Sequence, residues 1–250
     1  MVKQRIGFTL AACFIVTVVV GCATAAKPKV DYLGSRAATV TENDEKQSSI
    51  FSNCPPGMVL VPTGPMLYGP PDEKNAPHAT KEEAQRINVK SFCIDKYEWP
   101  NQPGEAPTRL VAWLEASNLC SSKGKRLCTE YEFEKACRGP SSTHYTYGDG
   151  YATKVCSAAT DDYGLGQFTN CVSGFGVYDM SGGVYEWTSS TPPTTTGPDT
   201  SGLRIVRGGM STGDEEKTSK CTYRLRFATT VTGREIGFRC CGALVKEEVK

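Results

Sequence analysis

The sequence predicts one α+β domain held together by disulfides, and three observations carry that expectation. Short apolar runs alternating at period two lie towards both ends of the chain, and two segments of helical periodicity lie between them. Of twelve cysteines, ten fall beyond residue 53. Such a density in an exported chain reads as up to five disulfides. Zinc is the competing use, but the thiols lack two close C-x-x-C pairs and only His78 and His144 could assist them.

Export follows from the first residues. Lys3 and Arg5 precede an apolar run from Phe8 to Val20, and the small residues Gly21, Cys22 and Ala23 close it. This is the pattern of a signal peptide, residues 1–21, and the run falls short of the about 20 residues that span a bilayer. Val19-Val20-Gly21-Cys22 resembles a bacterial lipobox, which implies cleavage before Cys22 and a lipid on that cysteine. Ala23 in place of an acid favours the outer membrane of the cell envelope over the inner. Residues 22–53 are rich in Lys, Thr, Glu, Asp and Ser and read as a tether. Residues 54–243 are enough for one core, and the Lys and Glu tail 244–250 is expected to fray. With 28 basic against 27 acidic residues, the chain has no charge excess to attract nucleic acid.

The domain opens with a turn, Cys54-Pro55-Pro56-Gly57, and a strand over residues 58–62 that is expected to pair back with Met66-Leu67-Tyr68 as a hairpin. Residues 70–86 read as a polar surface loop. Ile87 to Ile94 alternates as one strand, from which Cys93 would return to Cys54. Trp113, Ala116 and Cys120 form the buried stripe of a helix over 110–121, which stops at Gly124. Thr129-Glu130-Tyr131-Glu132 is a capping box, so a second helix follows Thr129, buries Phe133 and Cys137, and ends by Gly139-Pro140. Glu130, Glu132 and Glu134 read as a cap and a solvated helix face. Residues 139–172 are polar and long, the kind of loop that binds ligands; Cys156 and Cys171 could staple it, and its tyrosines could pin it. Strands follow at residues 204–209, 223–228 and 236–241.

One stretch stands apart. In Phe175 to Trp187, FGVYDMSGGVYEW, a turn at Ser181-Gly182-Gly183 lies between two apolar segments, with Asp179 and Glu186 on its shoulders. The residues alone leave two readings, a hairpin with solvated acids or a backbone folded around a small cation such as calcium.

Taken together, GMVLVPTGPMLYG, SFCIDKYEWPN, VAWLEASNLCSSKGKRLCTEYEFEKACRG, GVYDMSGGVYEWTSS, RIVRGG and IGFRC occur in an order that resembles the formylglycine-generating enzyme, or sulfatase-modifying factor, family. The resemblance implies an elaborated C-type-lectin-like fold with two main helices, short antiparallel strands and long loops. It implies calcium held by the carboxylates of Asp179 and Glu186 and the main-chain oxygens of Gly182 and Val184, with Gly183 standing where Asn is usual. It also implies that Cys120 pairs with Cys240, which frees Cys241 for Cys128.

Active members of the family hold copper on two cysteines shortly after the RGG turn and convert a sulfatase cysteine to formylglycine. Here Arg207-Gly208-Gly209 is followed by Met210-Ser211-Thr212-Gly213-Asp214, which lacks the first of those cysteines. Cys221 matches the second only to within a residue and reads as a disulfide partner of Cys137. The family's iron-dependent branch needs a histidine cluster that two histidines do not supply. The expectation is therefore an envelope lipoprotein whose domain lacks the oxidase pair and acts as a calcium-stabilised module for an envelope protein or glycan. The alternative is a copper-dependent formylglycine-generating oxidase that uses Cys221 with a second thiol.

Overall fold

The computed structural model describes residues 53–69, 85–156, 162–192, 202–209 and 214–245, all within the unit Glu42–Lys250. The signal peptide, Cys22 and the tether, nearly all of the 70–86 loop, Met210 to Gly213 and the end of the tail lie outside the described residues.

Ten short strands and three helices are described. In chain order they are β1 (Met58–Val61), β2 (Gly64–Tyr68), β3 (Gln85–Val89), β4 (Phe92–Asp95), α1 (Trp113–Ser122), β5 (Arg126–Leu127), α2 (Glu130–Arg138), β6 (Tyr185–Trp187), β7 (Leu203–Gly208), α3 (Glu215–Thr218), β8 (Arg224–Ala228), β9 (Ile236–Gly237) and β10 (Cys240–Gly242). They make a sheet of order β1-β4-β10-β5, a β2-β3 pair, and a sheet of order β8-β7-β6-β9. All pairs are antiparallel except β6 with β9.

Two pairings correct the sequence reading. The expected hairpin between the first two strands does not form: β1 pairs with β4, and β2 pairs with β3. The expected single strand over 87–94 is two strands in different sheets. Its alternation loses phase at Lys90 and Ser91, which are both exposed between buried Val89 and Phe92. A continuous strand would turn one of the two inwards, so the chain bends there and each half takes its own partner. The last strand divides in the same way, β9 joining one sheet and β10 another across Phe238 and Arg239.

Helix α1 begins at Trp113 rather than Leu110, because Leu110 has φ of 58° and Ala112 is extended. Ala116 and Cys120 face the core, and the Trp113 indole donates to Thr188 O at 2.8 Å. Helix α2 carries the capping box: Glu132 N donates to Thr129 Oγ1 at 3.2 Å and Thr129 N donates to Glu132 Oε2 at 2.8 Å. The solvated acidic face does not exist. Glu130, Glu132 and Glu134 are all buried, because arginines from neighbouring strands reach each of them. Glu130 accepts from Tyr68 Oη at 2.7 Å and from Arg224 at 3.2 Å. Glu132 takes a fork from Arg126 at 2.6 and 2.7 Å. Glu134 lies between Arg207 and Arg138.

Five disulfides close the domain: Cys54–Cys93, Cys120–Cys240, Cys128–Cys241, Cys137–Cys221 and Cys156–Cys171. The second ties the last turns of α1 to β10, and the third ties the residue after β5 to it. One apolar cluster gathers around Phe92, Ile94, Phe133 and Met180, and another around Leu127, Trp187, Val206 and Phe238.

Glu134 and Arg207 are both fully buried. Glu134→Leu strands the guanidinium and is expected to cost about 3–5 kcal/mol. Thr129→Ala, which removes half of the cap, is expected to cost about 1 kcal/mol. Urea unfolding of the oxidised protein measures both, and an equal cost would contradict the assignment.

Candidate functional site

The glycine-rich turn folds inwards rather than out to solvent. Asp179 takes φ of 62°, a left-handed conformation that Asp tolerates better than most side chains, and Gly182 and Gly183 follow with φ of 146° and 67°. The turn is anchored by Asp179 N, which donates to Cys171 O at 2.9 Å, and leads directly into β6.

Three carboxylates converge around it. Asp179 Oδ2 accepts from Gly166 N at 2.9 Å, while its Oδ1 is buried with no partner. Glu98, from the loop after β4, accepts from Tyr163 Oη at 2.8 Å and from Val184 N at 3.4 Å through Oε1, and its Oε2 is likewise buried and unpartnered. Glu186, on β6, receives Arg239 Nε and Nη2 on its two oxygens, each at 2.7 Å. All four charged residues are no more than 1% exposed.

Burial pushes the Glu98 carboxyl well above the usual range, and the negative charges of Glu186 and Asp179 push it further. Burial raises Asp179 to about 6, against the opposing pull of the Gly166 N–H and Arg239. Glu186 is also raised by burial, although Arg239 opposes the shift. With every group ionised, three carboxylates against one guanidinium leave the cradle two negative charges in excess, which is costly without water.

The chemistry of this donor set fits a cation. Two buried carboxylate oxygens, Asp179 Oδ1 and Glu98 Oε2, have no partner. Among the described residues no group of three or more His, Cys, Asp or Glu side chains could hold a metal ion, and both oxygens of Glu186 are engaged by Arg239.

The sequence reading named Asp179, Gly182, Val184 and Glu186, and the fold gathers them at one turn; it missed Glu98, Tyr163 and Arg239. Glu98 and Arg239 were within reach, as acidic and basic residues inside the quoted motifs SFCIDKYEWPN and IGFRC. Tyr163 had no local signal. Its role becomes plain at Gly183, where a Cβ would lie 2.2 Å from Tyr163 Oη and 2.7 Å from Glu98 Oε1. Tyr163 and Glu98 thus occupy the space that a side chain at position 183 would need.

The second expected centre lies on the other side of the same turn. Cys221 is bonded to Cys137, and both are buried. Ser181 Oγ approaches their sulfurs, at 3.7 Å from Cys137 and 3.8 Å from Cys221. The long loop is fastened nearby. Thr146 N donates to Ser181 Oγ at 2.9 Å, Cys221 N donates to His144 O at 2.8 Å, and Tyr145 Oη donates to Glu216 O at 3.0 Å. Tyr147 and Tyr151 pack on Tyr145 with ring centres 5.5 and 5.7 Å away.

Comparison with known proteins shows the family and the fold. Residues 99–244, more than half of the 250, match the Sulfatase-modifying factor enzyme 1-like domain. Over 157 residues the chain is 28% identical to the mouse (Mus musculus) protein named inactive C-alpha-formylglycine-generating enzyme 2, covering 56% of this chain and 50% of that one. It is 26% identical over 179 residues to the formylglycine-generating enzyme of Thermomonospora curvata, covering 56% and 59%. The chain thus spans about half the length of these relatives. Among solved structures, PvdO from Pseudomonas aeruginosa superposes with a TM-score of 0.57 at 22% identity, covering 75% of this chain and 94% of that one. Treponema denticola variable protein 1 superposes with a TM-score of 0.58 at 15% identity, covering 74% and 94%. The fold is that of the formylglycine-generating enzymes and the C-type-lectin-like proteins, and the chain belongs to the sulfatase-modifying factor family.

Proposed function

We propose that this protein is a lipid-anchored envelope member of the family that works as a calcium-stabilised binding or structural module and not as an oxidase. The observation that carries the reading is the Cys137–Cys221 disulfide. Copper oxidases of this family require two thiolates, and a sulfur already bonded to another sulfur is not one. Cys221 is the cysteine that matches half of the expected pair, and the fold uses it to tie α2 to the segment after α3. That a mouse relative carries the name inactive is consistent with a family that keeps the scaffold without the reaction.

Calcium supports the scaffold in this reading. It would be held by the carboxylates of Asp179 and Glu186 with the main-chain oxygens of Gly182 and Val184, and its charge would answer the excess of the cradle. The lipid on Cys22 would hold the domain at the membrane, with the outer membrane preferred. The surface offered to an envelope protein or glycan would be the 139–172 loop with the 210–220 segment, whose described parts meet where Tyr145 Oη donates to Glu216 O and Tyr151 Oη to Glu215.

Two measurements test the reading. Thiol counting on the denatured, unreduced mature protein is expected to find no free cysteine, and incubation with copper, oxygen and a Cys-x-Pro-x-Arg peptide is expected to give no aldehyde by mass spectrometry. A free Cys221 that binds copper, or an aldehyde product, returns the protein to the oxidases. For calcium, an ion at about 100 times its Kd contributes about 2.7 kcal/mol, so chelation should lower Tm by about 5–10 °C in a domain of this size. An unchanged Tm removes calcium from the reading.

A further inference from the structure

Helix α2 gathers more positive charge than its acids answer. Glu134 is shared by Arg207 and Arg138, Glu130 takes Arg224, and Glu132 is matched by Arg126. That leaves Lys135. The residue is 7% exposed, and its ammonium donates to Pro62 O at 2.6 Å, Gly64 O at 3.1 Å and Val89 O at 3.3 Å. Carbonyls satisfy its N–H groups but carry no charge to cancel its own. Burial lowers its pKa, and no neighbouring carboxylate opposes the shift. Counting Glu130 and Glu134 against Lys135, Arg138, Arg207 and Arg224, this side of the helix has two positive charges in excess. Such an excess is costly where water is scarce.

A pocket opens at the same place. Its cavity of about 190 Å³ is lined by Lys135 and Arg138 together with Pro62, Pro65, Pro140 and Phe175. It is smaller than the about 300 Å³ at which drug-sized ligands begin to be held, so its size suits one small group. The basic side chains are buried, whereas the three prolines are exposed and form the rim. Arg138 also has a donor to spare. Its Nη2 makes one bond, to Ser142 O at 3.1 Å, and Ser142 lines the same pocket. That nitrogen carries two hydrogens, and the second has no acceptor among the described residues.

We propose that this pocket binds a carboxylate on a short apolar stem, as a glutamate side chain of a partner protein carries it. Lys135 and Arg138 supply the charge and the spare N–H, and the prolines and Phe175 pack against the stem. An apolar rim favours methylene groups over a fully hydrated inorganic oxyanion. The pocket lies at Gly139 and Pro140, where the 139–172 loop begins, so it names one contact for that loop's partner. It needs neither calcium nor a lipid on Cys22, and it would stand whether or not the domain is an oxidase. A purely structural role for Lys135, as a cap on three carbonyls, predicts no preference for a carboxylate.

The test is calorimetric titration of the oxidised mature protein with N-acetylglutamate α-amide, its glutamine counterpart and inorganic phosphate, with amide NMR shifts to locate binding. The glutamate probe is expected to bind with Kd on the order of 1 mM, and at least about tenfold tighter than the other two. Its shifts are expected at Gly64, Gly139 and Phe175. Lys135→Gln keeps donors for the carbonyls and removes the charge, and is expected to abolish the preference for glutamate over glutamine. Phe175→Ala leaves both charges in place and is expected to weaken the glutamate probe severalfold without abolishing that preference. Equal binding of the glutamate and glutamine probes, phosphate bound as tightly as glutamate, or shifts confined to another part of the domain would each overturn the proposal. Should Lys135→Gln fail to fold, the wild-type titrations and Phe175→Ala decide it.

Discussion

The Glu186–Arg239 pair is the interaction on which the architecture depends. Glu186 lies on β6 in one four-stranded sheet, and Arg239 lies in the short crossing between β9 of that sheet and β10 of the other. From the same crossing Arg239 reaches Asp95 O, and Cys240 N donates to Asp95 Oδ2 at 3.1 Å. Cys240 and Cys241 are then bonded to Cys120 and Cys128. Apolar contacts would let two small sheets meet at many angles, whereas a fork with fixed direction admits few. A buried pair of this kind gains little net stability over apolar packing, but breaking one half is expensive. Its effect is to specify how the sheets join.

Helix α2 follows the same rule. Its central face carries Glu130 and Glu134, and the cost of burying them is offset by Arg207 and Arg224, which stand side by side on β7 and β8. Two like charges in register would ordinarily repel across a strand pair. Here each faces a glutamate, and Tyr68 Oη hydrogen-bonds to Glu130 and to Arg224. Acids and arginines are therefore mutually required: the helix cannot dock without the strands, nor can the strands pair comfortably without the helix.

This explains which parts of the chain were legible from sequence. Local chemistry was readable. The capping box at Thr129, the stop at Gly139 and the helix stripe of Ala116 and Cys120 all depend on neighbours within a few residues. Partner choice was not readable from the residues alone. Nothing within Met58 to Tyr68 says that β1 prefers β4 to β2, and only the two consecutive polar residues Lys90 and Ser91 marked where the chain changes sheet. The glutamates of α2 were misread because periodicity counts a charged residue as solvated, and a buried one is recognised only when its arginine is known. At the cradle, Asp179 and Glu186 declared themselves by flanking a glycine turn, whereas Tyr163 is 16 residues away from Asp179 in a loop whose composition gives no warning. The order of the six motifs supplied the long-range information that local rules lack.

The cradle and the Cys137–Cys221 disulfide are two sides of one turn, and this bears on how such a scaffold serves binding. Asp179 faces the carboxylates, Ser181 Oγ lies against both sulfurs, and Val184 N returns to Glu98. Ser181 Oγ also accepts from Thr146 N, and His144 O accepts from Cys221 N just before Tyr145 begins the tyrosine cluster of the long loop. The hydrogen bond to Glu98 on one side and the disulfide on the other therefore hold the same few residues from which that loop is hung. In an oxidase the thiols on this side would have to remain reactive, which requires access and a freedom to change bonding. The buried disulfide stiffens the base of the loop. A loop held at its base and exposed at its tip suits recognition, because less of its conformational entropy remains to be lost when a partner binds.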